Sequence, residues 1–201
     1  LEDYVTAILS LKNEYKNDIE IHLGLEVEYY PKYFRKLLEI ISEYPIEYFL
    51  LGQHFLGNEV DDYYCGEKTT DSMKLQRYYE QCIEAIDTDC FTYFAHPDLI
   101  NYVGDKKIYH EWMRKLCSYC KEKHIPLEIN FLGIEDKRHY PNEAFWKIAG
   151  EVGNQVVFGA DAHKPEKVWN PKALLIAEKM VEKYNLEVID TVVFKRPLIY
   201  S

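Results

Sequence analysis

With 201 residues, 47% of them hydrophobic, the chain is long enough to bury one sizeable core, and we expect a single domain spanning residues 1–201. A net charge of −10 at pH 7 argues against a nucleic-acid partner, because phosphate binding requires a basic surface. No run approaches the ~18 apolar residues of a membrane span, and five cysteines, an odd number, argue against a disulfide framework and favour the reducing cytoplasm.

The chain opens with a helical pattern and continues with predicted strands. Helix spacing of apolar residues starts directly after Leu1, which predicts that the beginning of the protein is missing. The residues with this spacing are Tyr4, Ile8, Leu11 and Tyr15. Six runs rich in β-forming residues are predicted as strands, at residues 19–27, 46–51, 91–95, 126–131, 155–160 and 192–200.

Amphipathic segments lie between these runs. Their apolar stripes are Phe34, Leu37, Leu38 and Ile41, then Leu75, Tyr79, Cys82 and Ile86, then Ile108, Trp112 and Leu116. Asp71, Asn142 and Asn170 are expected to cap helices, and Pro171 takes the favoured first helical position. Strand followed by helix, repeated, predicts an α/β fold with parallel strands joined by right-handed crossovers.

Polar residues stand at or just after the ends of five predicted strands. They are Glu26, His54, His96, Asn130 and His163, separated by 28, 42, 34 and 33 residues, which are sizes of single strand–helix units. Parallel strands present their carboxyl ends at one edge of a sheet, where α/β proteins gather their active sites. We therefore expect these side chains to converge.

Alternation along the strands favours a barrel over an open sheet. In the first predicted strand Ile21, Leu23, Leu25 and Val27 face one way, and His22, Gly24, Glu26 and Glu28 face the other. Asp161 and His163 share one face in the stretch FGADAHKP near the end of the chain. A sheet with helices on one side and polar strand tips on the other is best closed into a barrel.

Converging imidazoles and carboxylates suit zinc, manganese or ferrous iron. Taken singly, each residue also has an ordinary structural interpretation. A histidine can be satisfied at a strand end, an aspartate can open a turn, and a glutamate can be solvated. Five strand-end coincidences together favour a metal site, since burying unpaired carboxylates is costly.

The ordered motifs resemble the polymerase and histidinol phosphatase (PHP) family of metal phosphoesterases, across essentially the whole chain. They are Gly24-Leu25-Glu26-Val27-Glu28, Gln53-His54-Phe55, Ala95-His96-Pro97-Asp98, Leu127-Glu128-Ile129-Asn130 and Gly159-Ala160-Asp161-Ala162-His163. Residues 78–86 followed by residues 91–98 narrow the resemblance to the histidinol-phosphatase branch.

This resemblance implies a distorted, seven-stranded, TIM-like βα barrel with up to three divalent metal ions. Glu26 would bridge two ions, and His54 and His96 would complete the second position. Asp161 would bind the first ion and His163 the third, and both are assigned to catalysis. The family's first strand also carries a His-x-His pair, which has no counterpart here. We therefore expect that the N-terminal strands are missing from this chain and that this piece alone is impaired.

The implied activity is hydrolysis of a phosphate monoester, above all L-histidinol phosphate in histidine biosynthesis. Metal ions would lower the pKa of water, so that hydroxide attacks phosphorus in line. Arg138 is a candidate for clamping the phosphate, although a solvated surface arginine is an equal alternative, and Asn130 is a second candidate for substrate binding.

Two other functions stay open: a related phosphoesterase acting on another small phosphate, and a non-catalytic PHP-like scaffold. Unpaired strand edges would make an oligomer possible. Cys117 and Cys120 form a CxxC pair on an amphipathic helix with no second pair, which favours core packing over zinc binding.

Overall fold

Residues 1–60 and 63–197 are described by the computed structural model, as six strands and seven helices on one sheet. In chain order the elements are α1 (Glu2–Glu14), β1 (Gly24–Val27), α2 (Phe34–Ile41), β2 (Tyr48–Leu51), α3 (Ser72–Asp87), β3 (Phe91–Phe94), α4 (Lys106–Glu122), β4 (Leu127–Asn130), α5 (Phe131–Glu135), α6 (Glu143–Val152), β5 (Gln155–Gly159), α7 (Pro171–Tyr184) and β6 (Glu187–Val188). A 3-10 turn, Pro165–Lys167, precedes α7.

The predicted α/β class and parallel strand order are confirmed. The sheet runs β1-β2-β3-β4-β5-β6, and every neighbouring pair is parallel. All six carboxyl ends therefore lie at one edge. Within the described residues β1 pairs only with β2 and β6 only with β5, so the sheet is not closed, as expected for a PHP-like barrel that lacks its N-terminal strands.

Five of the six predicted strands are confirmed in shorter form, and the sixth is wrong. Residues 192–197 have no regular structure, the rest of that prediction lies outside the described residues, and the last strand is Glu187–Val188 instead. The backbone N–H of Lys195 donates to the side-chain Oγ1 of Thr92 in β3 rather than to a backbone carbonyl of a neighbouring strand. Phe194 stacks on Tyr48 at 4.6 Å between ring centroids, so this segment crosses the amino ends of the first strands.

The three predicted helix caps are confirmed. Asp71 accepts from the N–H of Met73, while Asn142 and Asn170 cap α6 and α7 in the same way. The short helix α5 was not predicted, because it begins directly where β4 ends and has no room for an amphipathic repeat.

The core fills the space between the sheet and helices α3, α4 and α6. Trp146, Tyr78, Phe91 and Phe145 are among its fully buried side chains. Cys117 and Cys120 are free thiols with no exposed surface, which confirms the prediction that the CxxC pair packs in the core. Among the helices of the described residues, none combines the length and apolar character needed to cross a bilayer.

Candidate metal centre

Glu26, His54 and His96 meet at the carboxyl edge of the sheet. Glu26 lies in β1, and the two histidines follow β2 and β3. One ligand atom from each residue lies within 4.8 Å of the other two. His96 Nε2 is 3.0 Å and His54 Nε2 is 3.7 Å from Glu26 Oε1, so residues 70 positions apart along the chain share one carboxylate oxygen.

Gly52 makes room for the Glu26 carboxylate. A Cβ atom at this position would overlap Glu26 Oε1, so any other side chain would push the carboxylate away. Burial raises the pKa of Glu26, but the hydrogen bond with His96 and the nearby imidazoles outweigh it and leave that pKa below its ordinary value. The carboxylate is therefore held in its anionic, metal-binding form.

Glu28 fixes the orientation of His54. Its carboxylate accepts from His54 Nδ1 at 2.6 Å and from the backbone N–H of the same residue at 3.0 Å. The N–H of Phe55 and the side-chain amide of Gln53 add longer bonds of 3.3 Å. A carboxylate that accepts a hydrogen bond from Nδ1–H fixes the tautomer in which Nε2 carries the lone pair. Nε2 faces Glu26, an arrangement common around metal-binding histidines.

Glu128 holds the backbone of His96. It is 4% exposed, and it accepts from the backbone N–H of His96 at 2.9 Å. Burial raises the pKa of Glu128. The nearby His96 and the hydrogen bond from the Asn130 amide lower it by less, so that the pKa stays above its ordinary value. Nδ1 of His96 is buried and has no hydrogen-bond partner among the described residues. This is not the ring nitrogen that faces Glu26, which is Nε2.

His96 and Asp161 both adopt left-handed backbone angles, with φ of 33° and 46°. The other described non-glycine residues with positive φ follow the ends of helices α3, α4, α5 and α7, where this conformation is common. At a strand end it costs on the order of 1–2 kcal/mol for a residue with a Cβ. The strain thus falls on two of the predicted ligands.

Asp161 lies across the edge from the cluster of Glu26, His54 and His96, hereafter the triad. Its Oδ2 accepts from Asn130 Nδ2 at 3.1 Å. Asn130 is 1% exposed and uses its amide fully: Nδ2 also donates to Glu128, and Oδ1 accepts from the N–H of Gly133. The structure thus gives Asn130 a role in orienting Asp161 and leaves no free donor for a substrate.

A cavity of about 290 Å³ opens over the triad. Asp161, His163, Arg138 and Tyr140 line its far wall. Arg138 donates to the Tyr140 hydroxyl at 2.7 Å, so its guanidinium is held at the rim. The imidazole of His163 is 73% exposed, and its Nδ1 lies 3.0 Å from the backbone oxygen of Asp161. Among the described residues, only the triad forms a group of three or more ligand atoms within mutual reach.

The triad fits a divalent cation of the zinc, manganese or ferrous class. Ligand atoms about 2.1 Å from a tetrahedral ion stand about 3.4 Å from each other. The observed spacings of 3.0 and 3.7 Å bracket that value. Two imidazoles and one carboxylate are also the donor set that such ions prefer.

The sequence profile of the PHP domain matches residues 1–131, which is more than half of the chain. The chain belongs to the PHP family. Its curated relatives include the probable histidinol-phosphatase of Deinococcus radiodurans, 22% identical over 174 residues, or 84% of this chain and 67% of that protein. The crystal structure of histidinol phosphate phosphatase from Lactococcus lactis, complexed with zinc, L-histidinol and phosphate, is similar with a TM-score of 0.71 at 18% identity. That similarity covers 100% of this chain and 79% of the other.

The sequence analysis did not predict a functional role for two carboxylates of this PHP domain. Glu28 and Glu128 each sit two residues from a predicted site residue, on the same strand face, so the alternation that singled out Glu26 and Asn130 applies to them equally. The sequence does not show which groups these carboxylates contact. Only the fold shows that they face the backbone of His54 and His96.

Proposed function

We propose that this PHP domain is a metal-dependent phosphomonoesterase whose substrate is L-histidinol phosphate. The observation that carries the proposal is the meeting of Glu26, His54 and His96 beneath a cavity that Arg138 borders. The relatives named histidinol-phosphatase narrow the substrate class. Neither a nucleophilic serine nor a cysteine is needed, and all five cysteines are buried.

Glu26, His54 and His96 would hold one ion, and Asp161 and His163 would contribute to further ions. Bound divalent cations would neutralise phosphoryl charge and bring the pKa of water toward neutrality. Glu28 would keep the imidazole of His54 aimed at the ion, and Glu128 would hold the backbone that carries His96.

Arg138 would bind the phosphate oxygens. Its guanidinium stands at the cavity rim, and bonds to Tyr140 and Asp136 restrict its motion. A planar fork of N–H donors matches two phosphate oxygens at once. Arg138 and the triad line the same cavity, so one bound phosphate would be within the cavity that both border.

The test is phosphate release by the purified protein loaded with zinc, manganese or iron. L-histidinol phosphate is compared with glycerol 3-phosphate and p-nitrophenyl phosphate at equal concentration, with and without EDTA. We expect chelator-sensitive release that is fastest with L-histidinol phosphate. Equal rates on all three esters would favour a PHP phosphoesterase of other specificity, and metal binding without any release would favour a scaffold.

A further inference from the structure

A second cavity lies on the helical side of the molecule, behind the wall that Arg138 and Tyr140 form. It measures about 360 Å³ and is lined by α5, the turn after it, the start of α6 and one face of α7. Arg138 and Tyr140 line both cavities. Its size suits a small organic ligand.

Charge sets this cavity apart from the rest of the chain. Four of the five charged residues that line it are basic, in a protein whose net charge is −10. They are Lys137, Arg138, Lys179 and Lys183, and Glu143 is the acidic one. A concave surface lined by one sign of charge concentrates counter-ions of the other sign. The cavity therefore favours an anion.

The positive charge is only partly neutralised within the protein. Lys183 pairs with Glu143 at 3.0 Å, and Arg138 pairs with Asp136 at 3.3 Å. Lys137 and Lys179 have no ion-pair partner in the part of the chain that the structure describes. Lys179 and Lys183 are four residues apart on α7, and like charges at this spacing destabilise a helix. A bound anion would remove that repulsion.

The same cavity offers apolar surface to the rest of a ligand. Ile134 of α5 and Ile176 and Met180 of α7 line it, together with the ring of Tyr184. Ile176 and Met180 are one turn apart, on the face of α7 that also carries Lys179. Cations beside aliphatic side chains and an aromatic ring suit a molecule with an anionic end and a nonpolar body.

We propose that this cavity is a second binding site, for a small organic phosphate with an aromatic or apolar body. The site lies outside the triad and needs no metal ion, so it stands or falls independently of the phosphatase proposal. Because Arg138 borders both cavities, an occupant here would sit against the wall of the first.

Pyridoxal 5′-phosphate is a suitable probe because it joins a phosphate to an aromatic ring and an aldehyde. The aldehyde condenses with a lysine amine, loses water and forms an imine, which borohydride reduces to a stable secondary amine. Peptide mass spectrometry then maps the modified lysines on the intact protein. We expect Lys137, Lys179 or Lys183 to be labelled before the other lysines of the protein.

Two double variants separate this site from general lysine reactivity. Lys179→Gln with Lys183→Gln should weaken equilibrium binding of pyridoxal 5′-phosphate by about tenfold in calorimetry. Lys106→Gln with Lys147→Gln, which removes two lysines of another surface cavity, should leave it unchanged. All four lysines are on helices, and melting temperatures check that each variant folds. Labelling spread evenly over exposed lysines, or equal loss in both double variants, would overturn the proposal.

Discussion

The two sides of the candidate centre are built differently. On one side, Glu26, His54 and His96 lie within mutual ligand distance, and buried or half-buried carboxylates hold both histidines. On the other side, His163 is 73% exposed, and among the described residues its Nδ1 contacts Asp161, two positions earlier in the chain. The triad side is organised before any ion binds. On the far side, the exposed imidazole of His163 can change its orientation when an ion binds.

The residues that surround the ligands explain why the two sides differ in order. Strands β1 to β3 carry the triad together with Gly52, which leaves space for the Glu26 carboxylate. His163 instead follows β5 in a segment that runs into the 3-10 turn, where its Nδ1 lies 3.0 Å from the backbone oxygen and 3.5 Å from the carboxylate of Asp161, two residues away. Ligands whose orientation is fixed in advance lose less conformational entropy on binding. We therefore expect the tightest metal affinity at the triad.

Glu26→Gln should produce the largest loss on the triad side. Gln keeps the size of the side chain but removes the anion that both imidazoles face, so we expect zinc affinity to fall by at least about 100-fold, with turnover falling in parallel. Competition with a chromogenic chelator measures the affinity, and elemental analysis gives the stoichiometry. Unchanged zinc content in this variant would contradict the assignment of Glu26 as a ligand.

Glu28→Gln tests the support rather than the ligand. Gln cannot accept from His54 Nδ1 and from the backbone N–H groups with the same strength, so His54 loses its fixed orientation. We expect zinc affinity to fall by about 10- to 100-fold, the range typical of such partners. Glu122→Gln, at the exposed end of α4, is the matched control. Equal affinities in the two variants would remove Glu28 from the site.

Gly52→Ala should weaken zinc binding by about tenfold, because the new methyl group displaces the Glu26 carboxylate. It should also lower the melting temperature. In a Glu26→Ala background the methyl group meets empty space, so the loss of stability should largely disappear. A loss of stability of the same size in both backgrounds would show that the glycine serves the backbone instead.

The same contrast explains how far the sequence could be interpreted. Period-two alternation places Glu26 and Asn130 on the inner face, and chain order brings five strand ends to one edge. Which atoms then meet depends on side-chain partners distant in sequence, such as Glu28 for His54. Alternation therefore identified Asn130 as polar and inward, while its helix-capping and Asp161 contacts appear only in the fold.

The predicted sixth strand was wrong for a related reason. Residues 192–197 have the composition of a strand, but Phe194 finds an aromatic partner in Tyr48 at the amino end of the sheet. Composition reports β propensity and carries no information on whether a neighbouring edge is available for pairing. Tertiary contacts decided the conformation of this segment.

Arg138→Ala tests the far side through the substrate. A partly exposed guanidinium contributes about 1 kcal/mol to holding a phosphate, so we expect KM for L-histidinol phosphate to rise about fivefold. Zinc affinity should not change, because Arg138 contacts Tyr140 and Asp136 and none of the triad. Arg35→Ala, on the exposed surface of α2, is the control. An unaltered KM would exclude Arg138 as the phosphate clamp.

His163→Ala should have the smallest effect on metal affinity at the triad. It therefore tests most directly whether the two sides of the centre bind metal independently. The exposed imidazole contributes little to an ion already held by three preorganised ligands, so we expect triad affinity to change less than about threefold. At saturating metal, however, the variant should bind one ion fewer, because the far side loses a donor that nothing nearby replaces. His124→Ala, in the turn after α4, controls for loss of a histidine elsewhere. A fall in triad affinity as large as that of Glu28→Gln would mean that the two sides act as one unit and that the exposed position of His163 changes when metal binds.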